Sequence, residues 1–134
     1  AGAAALVEEA LQPLAAFAAG LMRSPKQEER LAALACLRAF AEHGWGLRGM
    51  WAEPEFLALV TDRRGEAGGK AALEAKYDTV AAAVRHPEMA DIVGPERVEF
   101  LRLFLKDGPF YSGPAAGGAP DRGPAIPIVG LKSL

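Results

Sequence analysis

Apolar side chains recur along this chain every three or four residues, which is the spacing that places them on one face of an α-helix. The clearest such stretch is 70–86, whose apolar residues are Leu73, Tyr77, Val80 and Val84. Spacings of four, three and four predict a well-formed amphipathic helix. Pro87 is expected to end it, because a proline interrupts the helical hydrogen bonds.

Two further helices are predicted in the first third of the chain. The first covers 4–22, and its apolar stripe contains Leu6, Leu11, Leu14, Phe17, Ala18 and Leu21. Pro13 lies within this stripe, so the helix is expected to kink there or to start after it. The second helix is expected over 26–43, with Ser24 as its N-cap and Gln27 completing a capping box.

Shorter helical segments are predicted in the rest of the chain. Pro54 opens a helix over 54–62, and a polar loop over 63–69 follows it. A single turn is expected at 89–93, before a last helix over 95–107. Apolar residues lie nearly all round this last helix, so much of its surface is expected to be buried.

These elements predict an all-α domain over 1–107. Two antiparallel helix pairs, 4–22 with 26–43 and 54–62 with 70–86, precede the closing helix. Pairs of this size stack into α-solenoids of the armadillo or HEAT kind, although periodicity alone does not distinguish a solenoid fragment from a small bundle. The expected core comprises Leu31, Leu34, Leu73, Val80, Val84, Leu101 and Phe104.

Residues 108–134 differ in composition from the rest of the chain, since they contain six glycines and five prolines. Such a segment buries too little surface to offset the entropy lost on ordering. It is therefore predicted to be a flexible tail that is partly polyproline II. Its small apolar cluster consists of Ile126, Ile128, Val129 and Leu131.

The charges of the chain exclude several classes of protein. The 15 basic and 17 acidic residues are well mixed and give a net charge of −2, which argues against a nucleic-acid footprint. No run of 18 apolar residues lacks charge or proline, so no membrane span is predicted. Glu8 and Glu9 argue against a signal peptide at the start, and the first residue, Ala1, suggests a fragment or a processed product. A single cysteine fits a reducing compartment.

No titratable residues have the spacing of a catalytic or metal site. Cys36 lies in an apolar stretch and is expected to pack in the core as a small hydrophobic residue. His43 and His86 lie at predicted helix ends, where a positive charge is favourable, and neither belongs to an HxxxH motif. We therefore predict no catalytic residue, no metal ligand and no cofactor site.

Two tryptophans mark the link between the second and third helices. Gly44 and Gly46 are expected to end the second helix, which leaves the segment from Trp45 to Trp51 as a short connection. The two indoles flank Arg48, and aromatic and arginine side chains are enriched at binding hot spots. The alternative is that both indoles fill the joint between helix pairs.

Several short motifs follow one another between Leu37 and Tyr111. They are Leu37-Arg38-Ala39-Phe40-Ala41-Glu42-His43 with Trp45, Pro54-Glu55-Phe56-Leu57, Asp62-Arg63, Ala75-Lys76-Tyr77-Asp78, Ile92-Val93-Gly94 and Asp107-Gly108-Pro109-Phe110-Tyr111. In these motifs and in their order the chain resembles the C-terminal part of the 26S proteasome non-ATPase regulatory subunit 5 family.

The resemblance implies a function without catalysis. Members of that family are armadillo/HEAT-type α-solenoids and act as chaperones in assembly of the base of the proteasome regulatory particle. They hold an ATPase subunit through its C-terminal domain. The implied partner is therefore a proteasomal ATPase subunit, in the cytoplasm and also in the nucleus, and no nucleic acid, membrane or small-molecule substrate is expected. The alternative is a generic armadillo-like adaptor with an unrelated protein partner.

Six residues are predicted to contact the partner, namely Trp45, Arg48, Trp51, Lys76, Phe110 and Tyr111. For Phe110 and Tyr111, the favoured alternative to partner contact is a role in capping the helices. Gly108 ends the last helix and Pro109 prevents its continuation, so Phe110 and Tyr111 are expected to fold back over the apolar surface of 95–107. Covering that surface would cap the end of a repeat stack.

Overall fold

The computed structural model describes residues 2–64 and 69–111, and within them the chain is all-α, as predicted. The helices are α1 (Gly2–Gly20), α2 (Gln27–Phe40), α3 (Gly44–Ala52), α4 (Phe56–Thr61), α5 (Lys70–Arg85), α6 (Met89–Val93) and α7 (Pro95–Asp107). A 3-10 turn, Leu21–Arg23, follows α1. The tail residues 112–134, with their predicted apolar cluster, lie outside the described residues.

The first helix differs from its prediction in two ways. It runs from Gly2 to Gly20 with Pro13 inside it, so it does not start after the proline. Its buried side is formed by the small residues Ala15, Ala18 and Ala19, whereas the large residues of the predicted stripe, Leu6, Leu14 and Phe17, are exposed. The spacing of apolar residues located a helix correctly, but the side that packs inward is the alanine side.

That alanine side packs closely on α3, and glycines on α3 make the approach possible. A Cβ atom at Gly49 would lie 2.3 Å from the carbonyl oxygen of Gln12 and 2.9 Å from the Cβ of Ala15. Contacts this short do not occur between real Cβ atoms and backbone. Only a residue without a side chain therefore fits at this crossing of the two helices.

The existence of α3 corrects the sequence analysis, which treated Trp45 to Trp51 as a link and Gly44 and Gly46 as helix ends. The second helix ends earlier, at Phe40, and Gly44 begins a new helix. Leu47 and Met50 on this helix are fully buried. Burial of these two side chains and close packing on α1 stabilise a helical conformation that glycine disfavours when exposed.

The start of α2 and the position of Cys36 also differ from the predictions. Helix α2 begins at Gln27 after an N-cap at Lys26 that makes no side-chain cap bond, so the predicted capping box does not form. Ser24 instead accepts a hydrogen bond from the Lys26 amide and donates one to Glu29. Cys36 is exposed, because Leu34 and Leu37 direct the opposite side of α2 inward.

One core joins the described helices, and α2 packs mainly on α5 within it. Of the predicted core, Leu34, Val80, Leu101 and Phe104 are buried, which confirms their assignment. The other three predicted residues, Leu31, Leu73 and Val84, are only half-buried. Their places are taken by Leu37, Leu47, Met50, Phe56, Val60 and Met89, which the sequence analysis did not include.

One segment passes a membrane test based on length and mean hydropathy, although it contains Glu8, Glu9 and Pro13 and so does not meet the stricter pattern used in the sequence analysis. By length and composition alone, Ala5–Arg23 is long and apolar enough to cross a membrane. Core helices of soluble proteins and signal sequences satisfy the same test, so one such helix is weak evidence.

Truncating Leu34 to alanine is expected to lower the free energy of unfolding by about 2–5 kcal/mol, because it removes a fully buried side chain and leaves a cavity. The same change at half-buried Leu31 should cost clearly less. Urea unfolding followed by circular dichroism measures both values. Equal costs would mean that the inward face of α2 is wrongly assigned.

Replacing Gly49 by alanine is expected to lower the free energy of unfolding by about 1–3 kcal/mol, since backbone atoms of α1 cannot move aside cheaply. Gly44→Ala is the matched control on the same helix. The nearest atom to a Cβ there is the carboxylate oxygen of Glu88, which rotates away easily. A thermal melt in which the Gly49 variant is as stable as the Gly44 variant would contradict this account of the α1–α3 contact.

Candidate partner-binding surface

Three of the predicted partner residues lie on α3, at spacings of three residues. Trp45, Arg48 and Trp51 therefore follow one side of the helix. The opposite side carries the buried Leu47 and Met50. The burial of one side of α3 thus determines that the other side, with two indoles and a guanidinium, faces outward.

Trp45 is half-buried and held by two rings, Phe40 at the end of α2 and His43 in the turn before α3. Its ring centroid lies 5.2 Å from that of His43, with an angle of 12° between the planes, which is a stacked arrangement. Phe40 contacts it at a centroid distance of 5.4 Å and an angle of 56°. These contacts fix the orientation of the indole while part of it remains accessible.

Arg48 is exposed and lies between two carboxylates. Its Nη1 is 3.1 Å from Glu88 Oε1, and its Nη2 is 3.7 Å from Glu8 Oε1. Ion pairs at an exposed position contribute about 0–1 kcal/mol each to stability. The guanidinium is thus preoriented by weak contacts that a partner carboxylate can replace at small cost.

Trp51 is half-buried at the other end of the row and packs edge-on against Phe56, with ring centroids 4.9 Å apart at 87°. Its Nε1 atom is buried and makes no hydrogen bond with residues 2–64 and 69–111. A buried N–H without an acceptor costs free energy. The indole is therefore held by ring packing and not by a polar anchor.

Two shallow concavities flank this row. One, of about 600 Å³, is lined by Ala3, Val7, Glu8, Glu42, His43, Gly44, Trp45 and His86. The other, of about 500 Å³, is lined by Arg48, Trp51, Ala52, Glu88, Asp91 and Ile92. We call the three α3 side chains together with these two concavities the α3 surface.

The carboxylates of the α3 surface give it an anionic character. A 2.7 Å hydrogen bond from Arg38 lowers the pKa of Glu42, and Arg85 acts in the same direction. Glu42 is therefore ionised near neutral pH. The α3 surface thus has one cation in its row, Arg48, with carboxylates around it. This arrangement of charges favours binding of a charged protein segment in one orientation.

Of the other three predicted partner residues, Tyr111 belongs to a second group of contacts, around Arg63. Arg63 donates hydrogen bonds to the Phe104 carbonyl at 2.8 Å and to the Gly108 carbonyl at 3.0 Å. Its Cζ lies 4.1 Å from the centroid of the Phe104 ring and 5.5 Å from that of Tyr111. Arg63 thereby satisfies carbonyl oxygens at the C-terminal end of α7, which lack helical partners.

The end of α7 explains why Arg63 is needed there. The helix ends at Asp107, as predicted, and Gly108 has a φ of +89°, which glycine adopts without strain. Burial lowers the pKa of Arg63, whereas Asp107 and Tyr111 act in the opposite direction. The guanidinium remains charged at neutral pH, because an arginine is effectively always protonated.

Lys76, Phe110 and Tyr111 differ in how much surface they offer. Lys76 is 4% exposed, and its Nζ donates a 2.8 Å hydrogen bond to the Asp62 carbonyl, so this residue lies within the helix packing. Tyr111 is half-buried beside Arg63, whereas Phe110 is 48% exposed with Lys70 Nζ 5.6 Å from its ring. Tyr111 thus lies beside the guanidinium that covers the Phe104 ring, whereas the exposed Phe110 does not cover α7 as expected.

Sequence reasoning missed several residues of these two groups. Arg63 was noticed as part of a motif, but its contacts join segments more than forty positions apart, which no local pattern reveals. Glu88 follows Pro87 in a turn, and only the fold brings it to Arg48. Among the described residues no group of three or more His, Cys, Asp or Glu side chains is arranged to hold a metal ion.

A family model supports the resemblance seen in the motifs. The model described as "Proteasome non-ATPase 26S subunit" matches residues 8–125, which is most of the chain. The chain belongs to this family. The match includes α2 to α7 and both groups of contacts described above.

Curated relatives agree with the family match. The chain is 35% identical over 97 residues to the human protein named 26S proteasome non-ATPase regulatory subunit 5, which is 72% of this chain and 19% of that protein. The bovine and mouse proteins of the same name are 35% and 36% identical, again over 19% of their length. The chain thus spans about a fifth of these relatives. No solved structure matches it.

Replacing Arg63 by lysine is expected to lower the free energy of unfolding by about 1–3 kcal/mol, since one ammonium group cannot bind both carbonyls and cover the Phe104 ring. Urea unfolding measures the loss, and amide exchange in the last turn of α7 localises it. Arg64→Lys is the matched control, because Arg64 is the exposed neighbour in sequence. Equal behaviour of the two variants would contradict the role given to Arg63.

Proposed function

We propose that this chain is a non-enzymatic, protein-binding piece of a chaperone that holds a proteasomal ATPase subunit, through its C-terminal domain, while the base of the regulatory particle assembles. Family membership supports a proteasome-related role. The chaperone role and the ATPase partner are carried over from the resemblance of the motifs. A location in the cytoplasm and also in the nucleus is carried over from the same resemblance.

The observation that carries the binding role is the α3 surface. Trp45, Arg48 and Trp51 lie in one row, and each indole is held by a ring from a neighbouring segment. Tryptophan and arginine are among the residue types most enriched at binding hot spots. Ordering such side chains on binding costs little entropy, because ring packing already restricts them.

The proposed mechanism is steric and stoichiometric. A helical surface covers part of the ATPase subunit and keeps that part from other contacts until the proper neighbours displace the chaperone. Arg48 orients the contact, because its guanidinium leaves its ion pairs with Glu8 and Glu88 and pairs with a carboxylate of the partner instead. We also propose that the helices stack as an armadillo/HEAT-type solenoid, in which each helix pair packs on the next.

The test measures binding of this chain to purified C-terminal domains of proteasomal ATPase subunits by calorimetry. At least one domain is expected to bind. Arg48→Glu should raise its Kd at least about tenfold, the effect of losing one charged hot-spot contact. Thermal stability should change little, since the ion pairs lost are exposed.

Arg102→Glu is the matched control. Arg102 is also an exposed arginine paired with a glutamate, Glu99 at 3.9 Å, but it lies on α7. It should leave the Kd unchanged. If both variants bind alike, the α3 surface is not the partner site. If no ATPase domain binds and an extract yields a different protein, the chain is an adaptor of another kind and the proposed function is wrong.

A further inference from the structure

The two concavities of the α3 surface have the same chemical composition. Each is lined by one indole of α3 and by two carboxylates from other segments of the chain. These sets are Trp45 with Glu8 and Glu42 in the first concavity, and Trp51 with Glu88 and Asp91 in the second. Arg48 lies on α3 between the two indoles. A partner segment that covers the row therefore meets carboxylates at both ends of it.

The carboxylates of this surface outnumber the cations that neutralise them. Glu42 is paired at 2.7 Å with the arginine four positions earlier. Glu8 and Glu88 share the single guanidinium of Arg48, at 3.7 Å and 3.1 Å. The carboxylate of Asp91 forms no ion pair with residues 2–64 and 69–111. Two negative charges therefore remain uncompensated, one shared by the pair on Arg48 and one on Asp91.

An indole beside a carboxylate suits the side chain of a lysine or an arginine. The aliphatic stem of such a side chain packs on apolar surface, while its charged end reaches the carboxylate. A cation near a tryptophan ring gains a further attraction from the ring. Neither an acidic nor an apolar segment matches these concavities. The first meets like charges, and the second buries carboxylates without a partner, which costs free energy.

We propose that the α3 surface binds a basic protein segment, in which one lysine or arginine enters each concavity and an acidic residue between them pairs with Arg48. This inference rests on the proposed function for the use of the surface as a partner site, and it adds the chemistry of the segment that binds there.

The length of α3 sets the spacing of the two basic residues. Gly44 lines the first concavity and Ala52 the second, and they are the first and last residues of the helix. Eight residues of α-helix rise about 12 Å. In an extended segment, the side chains of residues i and i+4 lie on one side about 13 Å apart, with that of i+2 between them. The segment therefore carries basic residues at i and i+4 and an acidic residue at i+2.

The test titrates the isotope-labelled chain with three capped peptides and follows its NMR signals. The first peptide has the sequence Gly-Arg-Ser-Asp-Ser-Arg-Gly. The second has citrulline, a neutral analogue of the same shape, in place of both arginines, and the third has the acidic and basic residues exchanged. The first peptide is expected to shift the signals of Asp91, Glu88 and both indole N–H groups. Its Kd should be at least about fivefold lower than that of either control peptide.

A pair of variants locates the effect on the surface. Glu8→Gln with Asp91→Asn removes one carboxylate from each concavity and should raise the Kd of the first peptide at least about threefold. The melting temperature should change little, because both side chains are exposed. Glu74→Gln with Glu99→Gln is the matched control, since it removes two exposed carboxylates from α5 and α7. It should leave the Kd unchanged.

Several results would overturn the inference. Binding of the charge-exchanged peptide as tightly as the first would mean that an acidic segment fits equally well. Equal binding of the citrulline peptide would show that the cations do not matter. Equal weakening by both pairs of variants would trace the attraction to the net charge of the chain. The absence of any shift at millimolar concentrations of the first peptide would also contradict the two subsites.

The outcome is separate from that of the proposed function, because none of the peptides comes from an ATPase subunit. If an ATPase domain binds at the α3 surface and the first peptide is not preferred, the basic-segment inference is wrong and the proposed function stands. If the first peptide is preferred and no ATPase domain binds, the surface still selects a basic segment and the proposed partner is wrong.

Discussion

The close crossing of α1 and α3 is the contact on which the rest of the structure depends. It exists because alanine on one helix meets glycine on the other, and a single methyl group at Gly49 would collide with the backbone of α1. Small residues bring little apolar area to a contact, but they allow two backbones to approach and gain dispersion contacts along their length. The crossing is therefore stabilised by the close fit of two backbones more than by large buried side chains.

The orientation of α3 follows from this crossing and determines the candidate surface. With Gly49 against α1 and Met50 in the core, the row of Trp45, Arg48 and Trp51 has only the outward side available. The turn after α5 then brings Glu88 to Arg48. A substitution at Gly49, which is not among the residues proposed to bind a partner, would thus displace the row of Trp45, Arg48 and Trp51, because the glycine and the row lie on the same short helix.

The sequence predicted the inward side of α7 better than that of α1, for a physical reason. In α7 the large residues Val98, Leu101 and Phe104 face the core, so their spacing reveals both the helix and its inward side. In α5 the most buried positions include Ala72, Lys76 and Thr79, and the predicted Leu73 and Val84 are only half-buried. In α1 the inward residues are alanines, whose spacing carries little signal beside Leu6 and Phe17. The sequence did not predict helix α3 because glycine usually ends helices. Gly49 lies inside this helix because it contacts α1, and the sequence does not show that contact.

The candidate site was predictable in residue type but not in arrangement. The two tryptophans and the arginine between them stood out in the sequence, and the structure places all three on one helix side. The role of Arg63 depends on carbonyls far along the chain, and the burial of Lys76 depends on where α5 packs. Such facts come from tertiary contacts, which short-range patterns do not contain.

The placement of the tryptophans has an optical consequence. The chain contains two tryptophans, and both belong to α3. Its intrinsic tryptophan emission is therefore a signal from that one helix. Trp51 reports from beside Phe56 with its Nε1 buried, and Trp45 reports from the stack on His43. The surface proposed to meet a partner thus carries its own fluorophores, and occupation of that surface can be followed without attaching a label.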